Sequence, residues 1–146
     1  MSATNAFETA LLSLIFANAN AANVGDATGL RGSSTAGVFY ISLHTADPGE
    51  AGTQSTSEAT YTSYARVAVN RTSGAWTVSG NQVSNAAAIT FPACTGGSNT
   101  ITHFGIGSAL SGAGNLFFKG TVTPNISVAS GVAVNFPIGQ LVTTAD

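Results

Sequence analysis

From residue 37 onward the chain is built of short alternating segments, each closed by a turn. Val38, Tyr40, Ser42 and His44 alternate with Phe39, Ile41 and Leu43. That is the period of two which sends successive side chains to opposite faces of a strand. Residues 64–70 read as a second strand, with Val67 and Val69 on one face. Residues 75–78 and 82–85 flank Ser79-Gly80-Asn81, a hairpin signature. Residues 88–91 stop at Pro92, and 100–106 follow a turn over 95–98. Residues 115–122 and 132–136 complete the set, with a short strand at 126–128 between them. Seven or eight short strands punctuated by Gly, Ser, Asn and Pro, with no strand–helix alternation, predict a mostly β chain. The expected architecture is an antiparallel β-sandwich, jelly-roll-like in its strand order.

Before residue 37 the pattern differs. Asn5 can cap a helix, with Glu8 three residues later as a capping box asks. Phe7, Leu11, Leu14 and Ile15 fall on one apolar stripe, widened by Leu12 and Phe16. A helix this short has to pack on something, either its own sheet or a neighbouring subunit. Residues 17–36 are small and polar with three glycines, and predict a long Gly/Ser/Asn-rich arm. The expected organisation is therefore residues 1–36 as helix and arm, and 37–146 as the β domain.

Charge is scarce. Only 7% of the 146 residues are charged, with four basic and six acidic side chains, against about 25% in ordinary soluble domains. So few cations argue against nucleic acid and against an anionic membrane as partners. A surface of Ser, Thr, Asn and Gly suits either a stable β protein or one covered by neighbours in an assembly, where unpaired charges are costly to desolvate. The lone Cys94 excludes a disulfide within the chain and a cysteine metal site. The apolar run over 7–16 contains Glu8, follows no Lys or Arg, and is too short for a bilayer, so a soluble protein made in the cytosol is expected.

Three stretches carry groups able to do chemistry. His44, Asp47 and Glu50 follow one strand closely. Asp47-Pro48-Gly49 is a turn signature, however, and the trio lacks a second histidine at helical spacing and the acidic density of a calcium loop. Cys94 and His103 could form a thiol–imidazole pair, but Cys94 closes a strand after Pro92-Ala93 and reads as a small core or rim residue. The glycine-rich segment 105–114 lacks the lysine and following helix of a phosphate loop. No Gly-x-Ser-x-Gly elbow is present. The six acids show no convincing pair for glycoside hydrolysis, although Trp76, Tyr61 and Tyr64 could stack on sugar. A non-enzymatic protein without cofactor or metal is expected.

Several blocks occur in a characteristic order: Leu-His-Thr-Ala-Asp-Pro-Gly at 43–49, Tyr-Ala-Arg-Val-Ala-Val at 64–69, Trp76, Ile-Thr-Phe-Pro at 89–92, Ile-Thr-His-Phe-Gly-Ile-Gly at 101–107, and Gly-Ala-Gly-Asn-Leu at 112–116. In these the chain resembles a family of small virion proteins of tailed bacteriophages, often labelled tail fibre proteins and similar to capsid decoration (cement) proteins. The resemblance implies a virion structural protein. A decoration protein on the head shell is the favoured expectation, bound to the major capsid protein or other virion proteins and self-associated, a trimer being favoured. A tail fibre, tail-tip or adaptor component is the alternative, and a glycan-binding module a third reading. The candidate subunit contacts are Phe7, Leu11 and Leu14 on the helix, Arg31 in the arm, and His44 and Asp47 at the strand end.

Overall fold

The computed structural model describes residues 3–145. In chain order the elements are α1 (Asn5–Ala17), β1 (Val38–His44), β2 (Val67–Asn70), β3 (Trp76–Ser79), β4 (Gln82–Asn85), β5 (Ile89–Thr90), β6 (Asn99–Gly107), β7 (Leu116–Val128), β8 (Asn135–Phe136) and β9 (Val142–Thr144). The protein is mostly β, its paired strands run antiparallel, and it has one helix among the described residues. None of its described helical structure is long and apolar enough to cross a membrane. The chain forms two compact units. One takes the chain up to Val38, Asn70–Ala88 and the stretch from Phe136. The other takes Phe39–Val69 and Ile89–Asn135.

The first unit holds α1 and a three-stranded sheet ordered β3-β4-β9. Ser79 pairs with Gln82 across a two-residue turn, and Gly80 at φ +60° supplies the backbone that such a turn needs. The N-cap of helix α1 lies one residue before the predicted Asn5. Thr4 is the N-cap and Asn5 is already helical; the Thr4 carbonyl accepts from the Glu8 N–H at 2.9 Å, and the Thr4 side chain makes no capping bond. The buried line is Glu8, Leu12 and Phe16, at i, i+4 and i+8. Apolar residues occupy more than half of the helix circumference, so periodicity could not choose between this line and the Phe7–Leu11–Leu14 stripe. Phe16 meets Trp76 of β3 edge to face at 4.9 Å, and the Thr9 hydroxyl donates to the Gly80 carbonyl at 2.6 Å.

Two polar residues finish the helix. Asn18 adopts a left-handed conformation at φ 56°, and its amide bonds both the N–H and the carbonyl of Ser33, at 2.7 and 2.9 Å. Arg71 donates to the carbonyls of Leu14 (2.9 Å), Ile15 and Ala36 (2.9 Å). A guanidinium there answers the orphan carbonyls of the last turn and complements its negative dipole end. Residues 18–33, which the composition suggested as part of an arm, close on themselves. Ala21 and Leu30 exchange backbone bonds at 2.8 and 3.0 Å, and the Asp26 carboxylate caps the N–H groups of Thr28 and Gly29.

The second unit contains a four-stranded sheet ordered β2-β1-β6-β7. β1 pairs with β6 from Tyr40↔Gly107 to His44↔His103. Phe39, Ile41 and Leu43 on one face of β1 join Ile101, Phe104 and Ile106 among the buried apolar residues. β7 is one 13-residue strand where the sequence suggests two, with a register shift against β6, between Ile101 and His103, where the two predicted pieces join. β2 is shorter than predicted: Tyr64 belongs to a turn, its N–H bonded to the Tyr61 carbonyl at 3.0 Å.

Phe16 is fully buried against Trp76. Phe16→Ala is expected to destabilise the protein by about 3–5 kcal/mol, read as a lowered midpoint in chemical denaturation, and to loosen the helix from its sheet.

Candidate functional site

The densest polar constellation lies in the second unit, where the chain between β1 and β2 meets the glycine-rich segment that ends β6. It begins at His44. The ring is fully buried. Nδ1 lies 2.8 Å from the Thr56 carbonyl, which can only accept, so this nitrogen carries the proton. Nε2 then accepts from the Ser42 hydroxyl at 2.9 Å. Burial pushes the His44 pKa below the ordinary histidine value; the Thr56 bond and the nearby Glu58 pull the other way, while Arg66 and His103 add to the lowering. The imidazole is neutral, with both nitrogens satisfied inside its own unit.

Asp47 and Glu50 turn away from it. Asp47 accepts the Gly49 N–H at 2.8 Å, as the turn signature predicts, and Lys119 of β7 reaches Asp47 at 3.0 Å and Glu50 at 3.2 Å. The Gly49 bond first, and Lys119 next, hold the Asp47 carboxyl below its usual range; the two acids raise Lys119. The pair is exposed enough to be a weak surface bridge. His44, Asp47 and Glu50, adjacent in sequence, thus belong to a buried hydrogen-bond site and an exposed ion pair. Among the described residues no three His, Cys, Asp or Glu side chains are grouped to hold a metal.

Three residues that the sequence reading passed over do more of the work. Gln54 is fully buried; its side chain donates to the Tyr40 carbonyl at 3.1 Å and accepts the Ala109 N–H at 2.9 Å, while its own N–H donates to the Ala113 carbonyl at 2.8 Å. Arg66 is buried and bidentate to Glu58 at 2.7 and 2.8 Å. The same guanidinium donates to the carbonyls of Ala109 (2.8 Å) and Gly112 (2.7 Å). Glu58 also accepts the Tyr64 hydroxyl at 2.9 Å; burial above all drives that phenol's pKa upward.

These contacts explain the glycine-rich segment. A β-carbon at Gly105 would fall 2.6 Å from the Ser42 hydroxyl and 2.7 Å from His44 Nε2. One at Gly107 would overlap the Gln54 side chain, and one at Gly114 would lie 2.5 Å from its Oε1. The glycines make room for buried polar side chains.

The remaining candidates are structural in their settings. The buried Cys94 thiol points at the carbonyls of Gly96 and Gly97, at 3.2 and 3.6 Å. His103 Nδ1 bonds the Thr102 hydroxyl at 2.8 Å. Tyr61 and Trp76 are buried, leaving neither face free for a sugar. Of the proposed subunit contacts, Phe7 is 45% exposed, Leu11 and Leu14 are half-buried, and Arg31 and Asp47 are exposed, whereas His44 reaches no surface.

A family model described as "Podophage GP4 fiber I protein gp80" matches residues 2–144. A search of curated proteins finds no match.

Two outcomes check this geometry. Gly107→Ala is expected to destabilise the fold by about 1–3 kcal/mol through overpacking against Gln54, measured by thermal and denaturant unfolding. For His44 the sign follows from its lowered pKa. Above the ordinary value of 6.5 the imidazole is neutral folded and unfolded, and the site contributes fully. As pH falls below that value the unfolded chain takes up a proton that the folded site resists, so stability declines until the folded His44 itself titrates. Unfolding midpoints from pH 8 to 5 should fall for the wild type and fall less steeply for His44→Asn.

Proposed function

This chain belongs to the podophage fiber I protein family, and from that premise we propose that it is a structural, non-enzymatic component of the phage tail fibre. The observation that carries the reading is the extent of the family match, 2–144, which takes in both compact units. Charge chemistry supports it. Residues that could serve catalysis are occupied elsewhere: His44 with Ser42 and Thr56, Glu58 with Arg66 and Tyr64, Cys94 with two carbonyls.

A fibre shaft needs repeats or coiled-coil stretches, and this sequence has neither. An element at the base or tip of the fibre, or an adaptor, is the form that fits. We propose that it is carried there as a homo-oligomer, a trimer being favoured, with Phe7 and the half-buried Leu11 and Leu14 on the open side of α1 among its contacts. A charge-poor surface suits such burial, because little charge has to be desolvated. The second reading is a decoration protein on the head, bound to the major capsid protein. Low charge favours it, but the family's fibre description outweighs that.

The test is to separate heads from tails of the parent particle and count this chain in each by quantitative mass spectrometry. A few copies per tail are expected. Many copies on heads, in simple ratio to the shell protein, would replace the fibre reading with the decoration reading.

A further inference from the structure

The two most exposed large apolar side chains named for the described residues are Ile138, at 66%, and Leu110, at 60%. Each stands on a short connection that would be mobile by composition. Leu110 lies in Ser-Ala-Leu-Ser-Gly-Ala-Gly at 108–114, and Ile138 in Pro-Ile-Gly-Gln at 137–140. Neither connection is loose.

The Leu110 loop is held from beneath by buried polar side chains. Gln54 takes the Ala109 N–H, and Arg66 takes the carbonyls of Ala109 and Gly112. Its ends are closed by Ser108 N–H to the Asn115 carbonyl at 3.0 Å and Asn115 N–H to the Ser108 hydroxyl at 2.9 Å. The Ile138 turn sits on Asn85, also buried. That amide donates to the Pro137 carbonyl at 2.9 Å and accepts the Leu141 N–H at 2.9 Å, and the Asn85 carbonyl accepts the Gly139 N–H at 2.9 Å. In each unit, then, a buried polar group fixes a loop whose outermost side chain is a bare aliphatic one. Burying an arginine–carboxylate pair is costly relative to apolar packing, so spending one on a surface loop calls for a reason beyond stability. Fixing a contact residue beforehand lowers the entropy lost on association.

The charge pattern indicates what meets these side chains. Neither loop carries an ionisable group. An uncharged aliphatic tip suits a surface that is itself nearly uncharged, since a charged one would lose solvation without gaining a partner. This chain offers such a surface: only 7% of its residues are charged, four basic and six acidic, and of the cations Arg66, Arg71 and Lys119 are bonded to groups within their own units. We infer that Leu110 and Ile138 are preorganised anchors through which one copy of this chain binds another. The inference rests on the self-association proposed above and names the residues that carry it.

Sedimentation velocity over a wide concentration range, with unfolding midpoints measured in parallel, tests it on Leu110→Ser, Ile138→Ser and the double variant. Both positions are exposed, so midpoints measured at dilution, where the chains are dissociated, should hold. The wild type should be oligomeric, each single variant should weaken association about tenfold or more, and the double variant should weaken it further. Should a serine variant misfold, a benzophenone side chain at position 110 of an otherwise unaltered chain decides: chain-to-chain cross-links support the inference, and their absence overturns it. An oligomer that survives the double variant unchanged overturns these anchors while leaving self-association intact. A wild type that stays monomeric at every concentration overturns the self-association itself. Variants that remain oligomeric but no longer join particles would assign the anchors to a different virion protein and also overturn the inference.

Discussion

A buried guanidinium has to be answered at its N–H groups, and in this protein the answer to Arg66 organises the end of a sheet. Glu58 takes two of its bonds, and the carbonyls of Ala109 and Gly112 take two more. The chain between β1 and β2 and the loop after β6 thereby become one rigid piece. Gln54 acts in the same place without charge. The first unit repeats the device with other residues: Arg71 closes the helix end against Ala36, and Asn85 holds the turn at 137–141. In a sequence so short of charge, the few buried ionic and amide groups fasten loops while apolar residues fill the cores. The gross strength of each bond is offset by lost solvation, so their main effect is to specify one loop geometry.

That arrangement parts groups that stand close together in the sequence. The run at 43–50 places a histidine and two acids within seven positions. Folding sends the imidazole into a site lined by Ser42, Thr56 and Gly105, and sends the acids out to Lys119. The glycines at 105, 107 and 114 are spaces for side chains arriving from elsewhere in the unit. Both features lock loops, and they keep the few charged groups of these segments bonded to one another.

Much of the fold was legible because the strands carry their signal locally. Alternation found β1, β3, β4 and β6 to within a residue or two, and Ser-Gly-Asn at 79–81 marked the hairpin. β9 was missed although Val142, Thr143 and Thr144 are β-formers, because three residues are too few for a period to show. Joining 115–122 to 126–128 as β7 required β6 alongside, where a register shift between Ile101 and His103 carries the strand across the interruption. The strand order β2-β1-β6-β7 rests on long-range pairing that no local pattern encodes.

The sequence by itself determined the β character, the one helix, the turn at Asp47-Pro48-Gly49, the scarcity of charge and the family resemblance, because these depend on residue type and near-neighbour spacing. Only the tertiary structure decided which face of α1 is buried, since an apolar surface that wide fits either way until Trp76 fixes it. Tertiary structure also separated His44 from Asp47 and Glu50. It paired Arg66 with Glu58 and the loop carbonyls, and it gave Gln54 a role nothing in its surroundings announces. A buried polar side chain is placed by partners far along the chain, and the requirement that each such group be bonded can be met only once those partners have been brought together.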